Sequence, residues 1–169
     1  GKTLGMTVEL EKICREKALN TFSSQDEYSM LFLNFETDIL DKVEPNSGLL
    51  HKTAKSYNLT NRNIVIEINE KGLNNNDILK TFVDYYRAKG YLIALDDVGA
   101  GHSNLNRISL VRPDIVKIDR AIIQDIDKSL YSQEIFKSIV ELSKKIGAFT
   151  IAEGTETVEE VITCMMCGV

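Results

Sequence analysis

Two adjacent carboxylates, Asp96 and Asp97, end an apolar run in "LIALDDVGAG" and are followed at once by Gly99 and Gly101. Neighbouring acids repel each other, so a cationic partner is expected beside them. Successive residues of a strand point to opposite faces, and both acids can share a site only where the strand breaks up. Because the glycines supply such a break, we expect the two acids to serve one metal ion each, or one metal ion and the mobile loop "VGAGHSN". A solvated turn is the alternative interpretation.

Polar or charged groups also follow each of the other apolar runs that resemble strands. These groups are Asn34, Glu67, Lys117 with Asp119, and Glu153. Carboxylate and amide oxygens are the ligands that Mg²⁺ and Mn²⁺ prefer, so these side chains predict a site for a hard divalent cation. The two histidines, His51 and His102, are too few and too far apart to indicate a zinc triad.

Lys117 lies in "DIVKID", where strand alternation places Ile115, Lys117 and Asp119 on one face and Val116 and Ile118 on the other. A lysine on an otherwise apolar strand is costly unless it is paired or chemically used. Two interpretations remain open. The ammonium forms a salt bridge to a carboxylate of the same edge, or nearby metal cations lower its pKa so that it takes a proton from water.

Five short apolar runs alternate with amphipathic helical patterns along the chain. The predicted strands are 31–35, 64–68, 91–95, 115–118 and 148–152. Helical spacing predicts helices over 6–19, 48–57 and 132–147, a helix that ends at Gly90, and a last helix opened by a capping box of Thr157 and Glu160. The predicted buried faces are Leu10, Ile13, Cys14 and Ala18; Leu79, Phe82, Val83 and Tyr86; Ile135, Ile139, Leu142 and Ile146; and Val158, Val161, Ile162 and Met165.

Alternating strands and helices indicate a parallel sheet covered by helices. An open doubly wound sheet binds ligands mainly at one switch point, whereas a (β/α)₈ barrel assembles its site from the ends of several strands. Five polar strand ends in succession therefore favour a TIM-barrel-like α/β fold, here a partial barrel of about five parallel strands. Its 169 residues are interpreted as one domain, 1–169.

The formal charge of −5 comes without long blocks of either sign, and no basic stripe invites duplex nucleic acid. No apolar run approaches the roughly 18 residues of a membrane span. Because a signal peptide is not evident and only three cysteines occur, we expect a cytoplasmic, reduced protein without a membrane span.

Three other functions are weaker. "GAGHSN" has Asn104 where a dinucleotide loop needs a third Gly or Ala, and no late glycine-rich loop indicates a sugar-phosphate enzyme. Cys164 and Cys167 form a C-x-x-C in a predicted helix with no second pair, which does not favour a redox or metal role.

Five motifs in order resemble the EAL-domain family of cyclic di-GMP phosphodiesterases. They are "FLNFE" around Asn34, "EINE" (67–70), "DDVGAGHSNL" (96–105), "VKID" (116–119) and "AEGTE" (152–156). The resemblance implies a (β/α)₈ barrel that binds two Mg²⁺ or Mn²⁺ ions and hydrolyses cyclic di-GMP to linear pGpG in bacterial second-messenger signalling.

The resemblance also implies a role for each matching residue. Those that look like metal ligands are Asn34, Glu67, Asp96, Asp97 and Glu153. Lys117 resembles the residue that activates the attacking water, and Asp119 resembles an acid beside it. Glu70 looks like the acid that holds the loop after Asp97, which in this family also takes part in dimer contacts.

The sequence departs from the family pattern in two ways. Val98, Ala100 and His102 replace Phe, Thr and Tyr of the usual loop. The family's "E-A-L" and "Q-G-Y" strands have no counterpart in these residues, which puts one metal-binding Glu and a late Gln outside the chain. We therefore expect impaired turnover by this chain alone and barrel edges covered by a partner copy or by rearrangement. The alternative function is a non-catalytic EAL module that senses cyclic di-GMP or binds proteins, and a parent protein with sensory or GGDEF domains fits either function.

Overall fold

Five parallel strands form one sheet in the order β1-β2-β3-β4-β5, so each strand lies beside the next one along the chain. The strands are β1 (Leu31–Phe35), β2 (Ile64–Asn69), β3 (Leu92–Val98), β4 (Ile115–Ile118) and β5 (Phe149–Ala152). A sheet that advances by one strand at every crossover has no switch point. This order is that of a barrel wall and not of a doubly wound sheet.

The computed structural model describes residues 2–26, 28–35, 49–69, 75–100 and 105–169, with side chains from residue 9 onward except that of Leu49. The predictions for Glu70, Gly101, His102 and Asn104 lie outside the described residues. The helices are α1 (Lys2–Phe22), α2 (Leu49–Ser56), α3 (Asn76–Ala88), α4 (Leu105–Val111), α5 (Arg120–Ile123), α6 (Leu130–Ile146) and α7 (Val158–Met166). None of the helices in the described ranges is long and apolar enough to cross a membrane.

One face of the sheet, the outer face, packs against the helices. Ile64, Ile66 and Ile68 of β2 are fully buried there. The predicted stripe of α3 is confirmed, since Leu79, Phe82, Val83 and Tyr86 are its buried residues. Alternate residues of each strand therefore lie on the other, inner face, which is the face that lines the interior of a barrel.

The inner face carries a small apolar cluster of Val65, Ala94 and Ile115, packed against the half-buried Phe32 and Ile151. On β2, β3 and β4 the next inward positions along each strand are Glu67, Asp96 and Lys117, and all three side chains are buried. The inner face is thus apolar in its middle and charged towards the carboxyl ends of the strands.

The predicted buried face is wrong for α7, and it is only partly confirmed for α1 and α6, where Ala18 and Ile139 are half-buried against the core. In α1 the predicted Leu10, Ile13 and Cys14 are exposed, and Leu19 is buried instead. In α7 the predicted apolar residues Val158, Val161, Ile162 and Met165 are all exposed, while Glu160 and Cys164 are buried.

The third difference concerns α6, in which two sets of residues with helical spacing are offset by one residue. Ile135 and Ile146 of the predicted stripe are exposed, and Phe136, Val140 and Ser143 are buried instead. Both stripes have helical spacing, so periodicity cannot choose between them. Phe136 and Val140 pack with Ile118 of β4 and Cys164 of α7, and this contact decides the orientation of the helix.

A pair of neighbouring substitutions tests the orientation of α6. Phe136→Ala opens a cavity at a side chain that is 0% exposed and should lower the free energy of unfolding by about 3 to 5 kcal/mol. Ile135→Ala, at a side chain that is 53% exposed, should cost less than about 1 kcal/mol. Urea unfolding of the two variants measures the difference, and equal losses would contradict the observed orientation.

Candidate functional site

Three carboxylates converge on the ammonium of Lys117 at the carboxyl edge of the sheet. Lys117 Nζ contacts Glu67 Oε1 and lies 3.1 Å from Asp96 Oδ1 and 2.7 Å from Glu153 Oε1. The four side chains come from β2, β3, β4 and the residue after β5. Parallel strands in register bring their carboxyl ends to one level, which explains why residues so distant in sequence meet here.

This group of four side chains, the rim cluster, is largely removed from water. Glu67, Asp96 and Lys117 are each 8% exposed, and Glu153 is half-buried. Glu67 Oε1 and Asp96 Oδ1 are buried and, apart from the ion pair with Lys117, have no hydrogen bond of good geometry within the described part of the chain. Three carboxylates facing one ammonium leave a local excess of negative charge that a further cation would offset.

The rim cluster holds the proton on Lys117. Burial lowers the pKa of the ammonium, but hydrogen bonds to Glu153, Glu67 and Asp96 outweigh it and raise the pKa above its ordinary value. The pKa of Glu153 is also raised. Burial causes this rise, and the Lys117 ammonium opposes it. The predicted lowering of the Lys117 pKa depends on bound metal cations and stays a prediction, because in the chain by itself carboxylates surround the amine. The predicted salt bridge to a carboxylate of the same edge is present.

The two adjacent acids occupy a bulge in β3. Leu95 lies opposite Val116 and Val98 opposite Ile118, so β3 has one residue more than β4 between these pairs. Asp97 has φ +58°, a left-handed conformation that costs a residue with a Cβ about 1 kcal/mol. The extra residue lets both acids leave the strand without the strict alternation of a regular ladder.

A side-chain hydrogen bond holds Asp97 in this bulge. Asn69, at the end of β2, donates from Nδ2 to Asp97 Oδ2 at 2.6 Å. Asn69 lies inside the "EINE" motif, but no local sequence pattern marks it as a site residue. The irregularity in β3 also lies earlier than predicted. It falls at Asp96 and Asp97 and not at the glycines, and the strand resumes and continues to Val98.

Gly99 follows the bulge with φ +105°. A Cβ at this position would overlap the side chain of Ile122 in α5, so only glycine fits. The glycine therefore brings the chain after the two acids into direct contact with the segment that follows β4.

The other predicted site residues lie at the same edge with different neighbours. Asn34 of β1 pairs in register with Glu67 and its side chain is exposed. Asp119 Oδ1 accepts a hydrogen bond from the Ala121 amide at 2.8 Å and so caps α5. This capping role accounts for Asp119 in the structure, and Glu70 lies outside the described residues.

The donor set of the rim cluster fits a hard divalent cation. Its buried oxygens, Glu67 Oε1 and Asp96 Oδ1, have only the Lys117 ammonium as a polar partner among the described residues, and such oxygens suit Mg²⁺ or Mn²⁺. Among the described residues, no three His, Cys, Asp or Glu side chains are already grouped as a metal site. We attribute this to the ammonium of Lys117, which lies at the point where the carboxylates converge.

Comparison with known proteins gives consistent matches in sequence. The model of the family described as EAL domain matches residues 2–169. The EAL-domain-containing protein YkuI of Bacillus subtilis (strain 168) is 30% identical over 151 residues, covering 88% of this chain and 37% of that protein. The cyclic di-GMP phosphodiesterase PdeA of Borreliella burgdorferi is 30% identical over 152 residues, covering 88% of this chain and 22% of that protein.

Solved structures agree with the sequence matches. YkuI in complex with its substrate cyclic di-GMP and calcium superposes with a TM-score of 0.85 at 27% identity, covering 98% of this chain and 41% of that one. BlrP1 of Klebsiella pneumoniae, in a manganese and cyclic di-GMP complex at pH 6, gives a TM-score of 0.88 at 25% identity, covering 95% of this chain and 42% of that one. These neighbours confirm the predicted TIM-barrel-like fold, and the chain spans less than half the length of each of these relatives.

The charge balance of the rim cluster predicts a pH-dependent cost for Lys117→Met. Removing the only ammonium described there should lower the free energy of unfolding by about 3 to 5 kcal/mol at pH 7, because it leaves buried carboxylates without a cation. The pKa of Glu153, already raised by burial, should rise further. An acid whose folded-state pKa is raised contributes stability below its unfolded-state pKa and loses it as pH rises. The deficit of the variant should therefore shrink as pH falls from 7 towards 4.

Urea unfolding of the parent and the variant at several pH values measures this change. Lys145→Met is the matched control, since Lys145 is exposed and its nearest carboxylate oxygen, on Glu141, is 4.0 Å away. That variant should change stability by less than about 1 kcal/mol at every pH. A deficit for Lys117→Met that is the same at pH 4 and pH 7 would show that lost packing, and not charge, causes it.

Proposed function

The chain belongs to the EAL-domain family, and from this premise we propose that it carries the site of a metal-dependent cyclic di-GMP phosphodiesterase. The reaction is hydrolysis of cyclic di-GMP to linear pGpG. The observation that carries the proposal is the convergence of Glu67, Asp96 and Glu153 on Lys117 at the carboxyl edge of the strands. That edge is where (β/α)₈ enzymes assemble their active sites.

Carboxylates and one amide at this edge would hold Mg²⁺ or Mn²⁺. The proposed ligands are Asn34, Glu67, Asp96, Asp97 and Glu153. When bound, the cations would neutralise phosphate charge and make water more acidic. The bulge in β3 supports the participation of both Asp96 and Asp97, because it releases the second acid from the alternation of the strand.

Lys117 is proposed to accept a proton from the attacking water. In the chain by itself the three carboxylates keep Lys117 protonated. Lys117 can act as a base only if bound cations offset the negative charge of these carboxylates and so lower its pKa. Asp119 is proposed to act beside Lys117 while capping α5. Glu70 is proposed to hold the loop that follows Asp97.

A non-catalytic receptor for cyclic di-GMP, or a protein-binding module, is the second candidate. The ion pairs of Lys117 with three carboxylates are the observation that favours this candidate, because a lysine held in this way has a structural role that needs no proton transfer. The two candidates differ in turnover of cyclic di-GMP with Mg²⁺ or Mn²⁺ present.

We also propose that the chain associates with a second copy, in a parent protein to which sensory or GGDEF domains are attached. Among the described residues, β1 and β5 are the outermost strands, and unpaired edges invite further pairing. Phe149 of β5 is 78% exposed. The apolar side chains exposed on α7 are Val158, Val161, Ile162, Met165 and Met166.

Two substitutions separate a metal ligand from a base. Asp96→Asn keeps the size of the side chain but removes an anionic oxygen, so Mn²⁺ should bind more weakly and turnover should be lost. Lys117→Met removes the ammonium that competes for the carboxylates, so Mn²⁺ should bind at least as tightly as in the parent. Turnover should nevertheless fall by roughly 10²- to 10⁴-fold, as expected for loss of general acid–base catalysis.

Calorimetry with Mn²⁺ and chromatographic detection of pGpG provide the two measurements, made in this chain and in the natural protein that contains it. If Lys117→Met at saturating Mn²⁺ hydrolysed cyclic di-GMP nearly as fast as the unsubstituted protein, Lys117 would be only a salt-bridge partner and not the base. Binding of cyclic di-GMP without any turnover by the natural protein would favour the receptor.

Self-association is tested by sedimentation at micromolar concentration. The unsubstituted chain should form dimers or larger species. Phe149→Lys should shift the population towards the monomer, because it places a charge on the outermost strand. Lys145→Met, at an exposed lysine of α6, should leave the distribution unchanged. A strictly monomeric unsubstituted chain would contradict the proposed self-association.

A further inference from the structure

Glu160 is a buried carboxylate outside the rim cluster. It lies at the third position of α7 and is 4% exposed. Its Oε2 accepts hydrogen bonds from the amides of Glu156 at 2.7 Å and Thr157 at 3.2 Å, and its Oε1 accepts one from the amide of Asp125 at 2.9 Å. A capping box with Thr157 requires only the bond from the Thr157 amide. The other two bonds are additional and need a separate explanation.

The two additional bonds join two separate segments of the chain. Asp125 lies in the turn after α5, in the segment that follows Lys117 and β4. Glu156 lies in the β5–α7 loop (residues 153–157), which begins with Glu153. One buried side chain thus ties together the backbone segments that follow two members of the rim cluster, Lys117 and Glu153, whose Nζ and Oε1 atoms lie 2.7 Å apart.

The β5–α7 loop is held at a second point by Arg120. Arg120 Nη2 lies 2.8 Å from Glu156 Oε1. Gly154 has φ +72°, and a Cβ on it would lie 2.8 Å from Arg120 Cβ, so the loop rests directly on the arginine. Arg120 is the first residue of α5, which Asp119 caps immediately after β4. The loop is therefore fixed against the β4 segment on both sides of Glu156.

We propose that Glu160 is a positioning residue that holds Glu153 against Lys117. Glu153 follows the last residue of β5 and is half-buried, and its amide donates to Ile118 O at 3.1 Å. Its carboxylate stays 2.7 Å from Lys117 Nζ only if the loop behind it keeps its place. Glu160 provides this constraint by accepting three backbone hydrogen bonds from two segments. The consequence for catalysis rests on the proposed phosphodiesterase function, whereas the positioning itself does not.

Glu160→Gln tests the proposal in the full chain. A glutamine has the same size, but its amide nitrogen replaces one acceptor, so at least one of the three amides loses its bond. We expect the Glu153 amide to exchange with solvent about tenfold faster or more, as the loss of a buried hydrogen bond predicts. The ¹⁵Nζ resonance of Lys117, assigned by its absence in Lys117→Met, should shift as the contact with Glu153 weakens.

Glu159→Gln is the matched control, because Glu159 is the neighbouring residue of α7, carries the same charge and is exposed. It should leave both signals unchanged. A role for Glu160 in capping α7 alone would loosen the first amides of the helix without moving the Lys117 resonance. The Ile93 amide, bound to Asp114 Oδ2 at 2.9 Å in another part of the sheet, reports any general loss of stability.

A second variant covers the case in which Glu160→Gln fails to fold. Gly154→Ala disturbs the same loop from the side of Arg120, where the added Cβ needs the arginine to move. It should shift the Lys117 resonance and speed exchange of the Glu153 amide in the same way. Parental signals from Lys117 and Glu153 in a folded Glu160→Gln, or in Gly154→Ala if the first variant is unfolded, would overturn the proposal. If the natural protein that contains this chain binds no Mn²⁺ and does not hydrolyse cyclic di-GMP, the proposed function fails. The exchange and resonance measurements would still decide whether Glu160 positions Glu153.

Discussion

The mutual repulsion of three carboxylates, two of them buried, around one ammonium is the constraint on which the site depends. Glu67, Asp96 and Glu153 can stay together in a place with little water only because Lys117 supplies a positive charge among them. The remaining negative charge makes the cluster receptive to a further cation. The same arrangement keeps Lys117 protonated. A cation that binds the carboxylates would offset their charge and so favour the neutral form of the lysine.

The backbone around the cluster is adapted to hold this charge. The bulge at Asp96 and Asp97, with its left-handed residue, stores strain where the two acids separate, and the Asn69 side chain compensates by binding Asp97. Strain of this kind persists only where the surrounding structure over-determines it. On the opposite side of the cluster, Glu160 fixes the loop that carries Glu153. The site is thus supported by hydrogen bonds beyond the residues that carry its charge.

The fold explains why so many apolar side chains remain exposed. The strands follow one another in order without closing a barrel within the described residues, so the outermost strands and α7 have surfaces that a complete barrel would cover. Exposed apolar residues on α7 and Phe149 on β5 are therefore consistent with a unit that packs against further protein.

The sequence by itself determined the five strands, the five longer helices and the residues at the strand ends, because periodicity, capping residues and glycines act over a few neighbouring positions. The short helices α4 and α5 were not predicted. The buried face of α3 was predictable for the same reason. Only the tertiary structure decided which of two apolar stripes of α6 is buried, since the choice depends on Ile118 and Cys164, which are distant in sequence. It also decided the bulge at Asp97, its bond to Asn69 and the meeting of Glu160 with Asp125. These depend on strand register and on contacts between separate segments, which local sequence patterns do not encode.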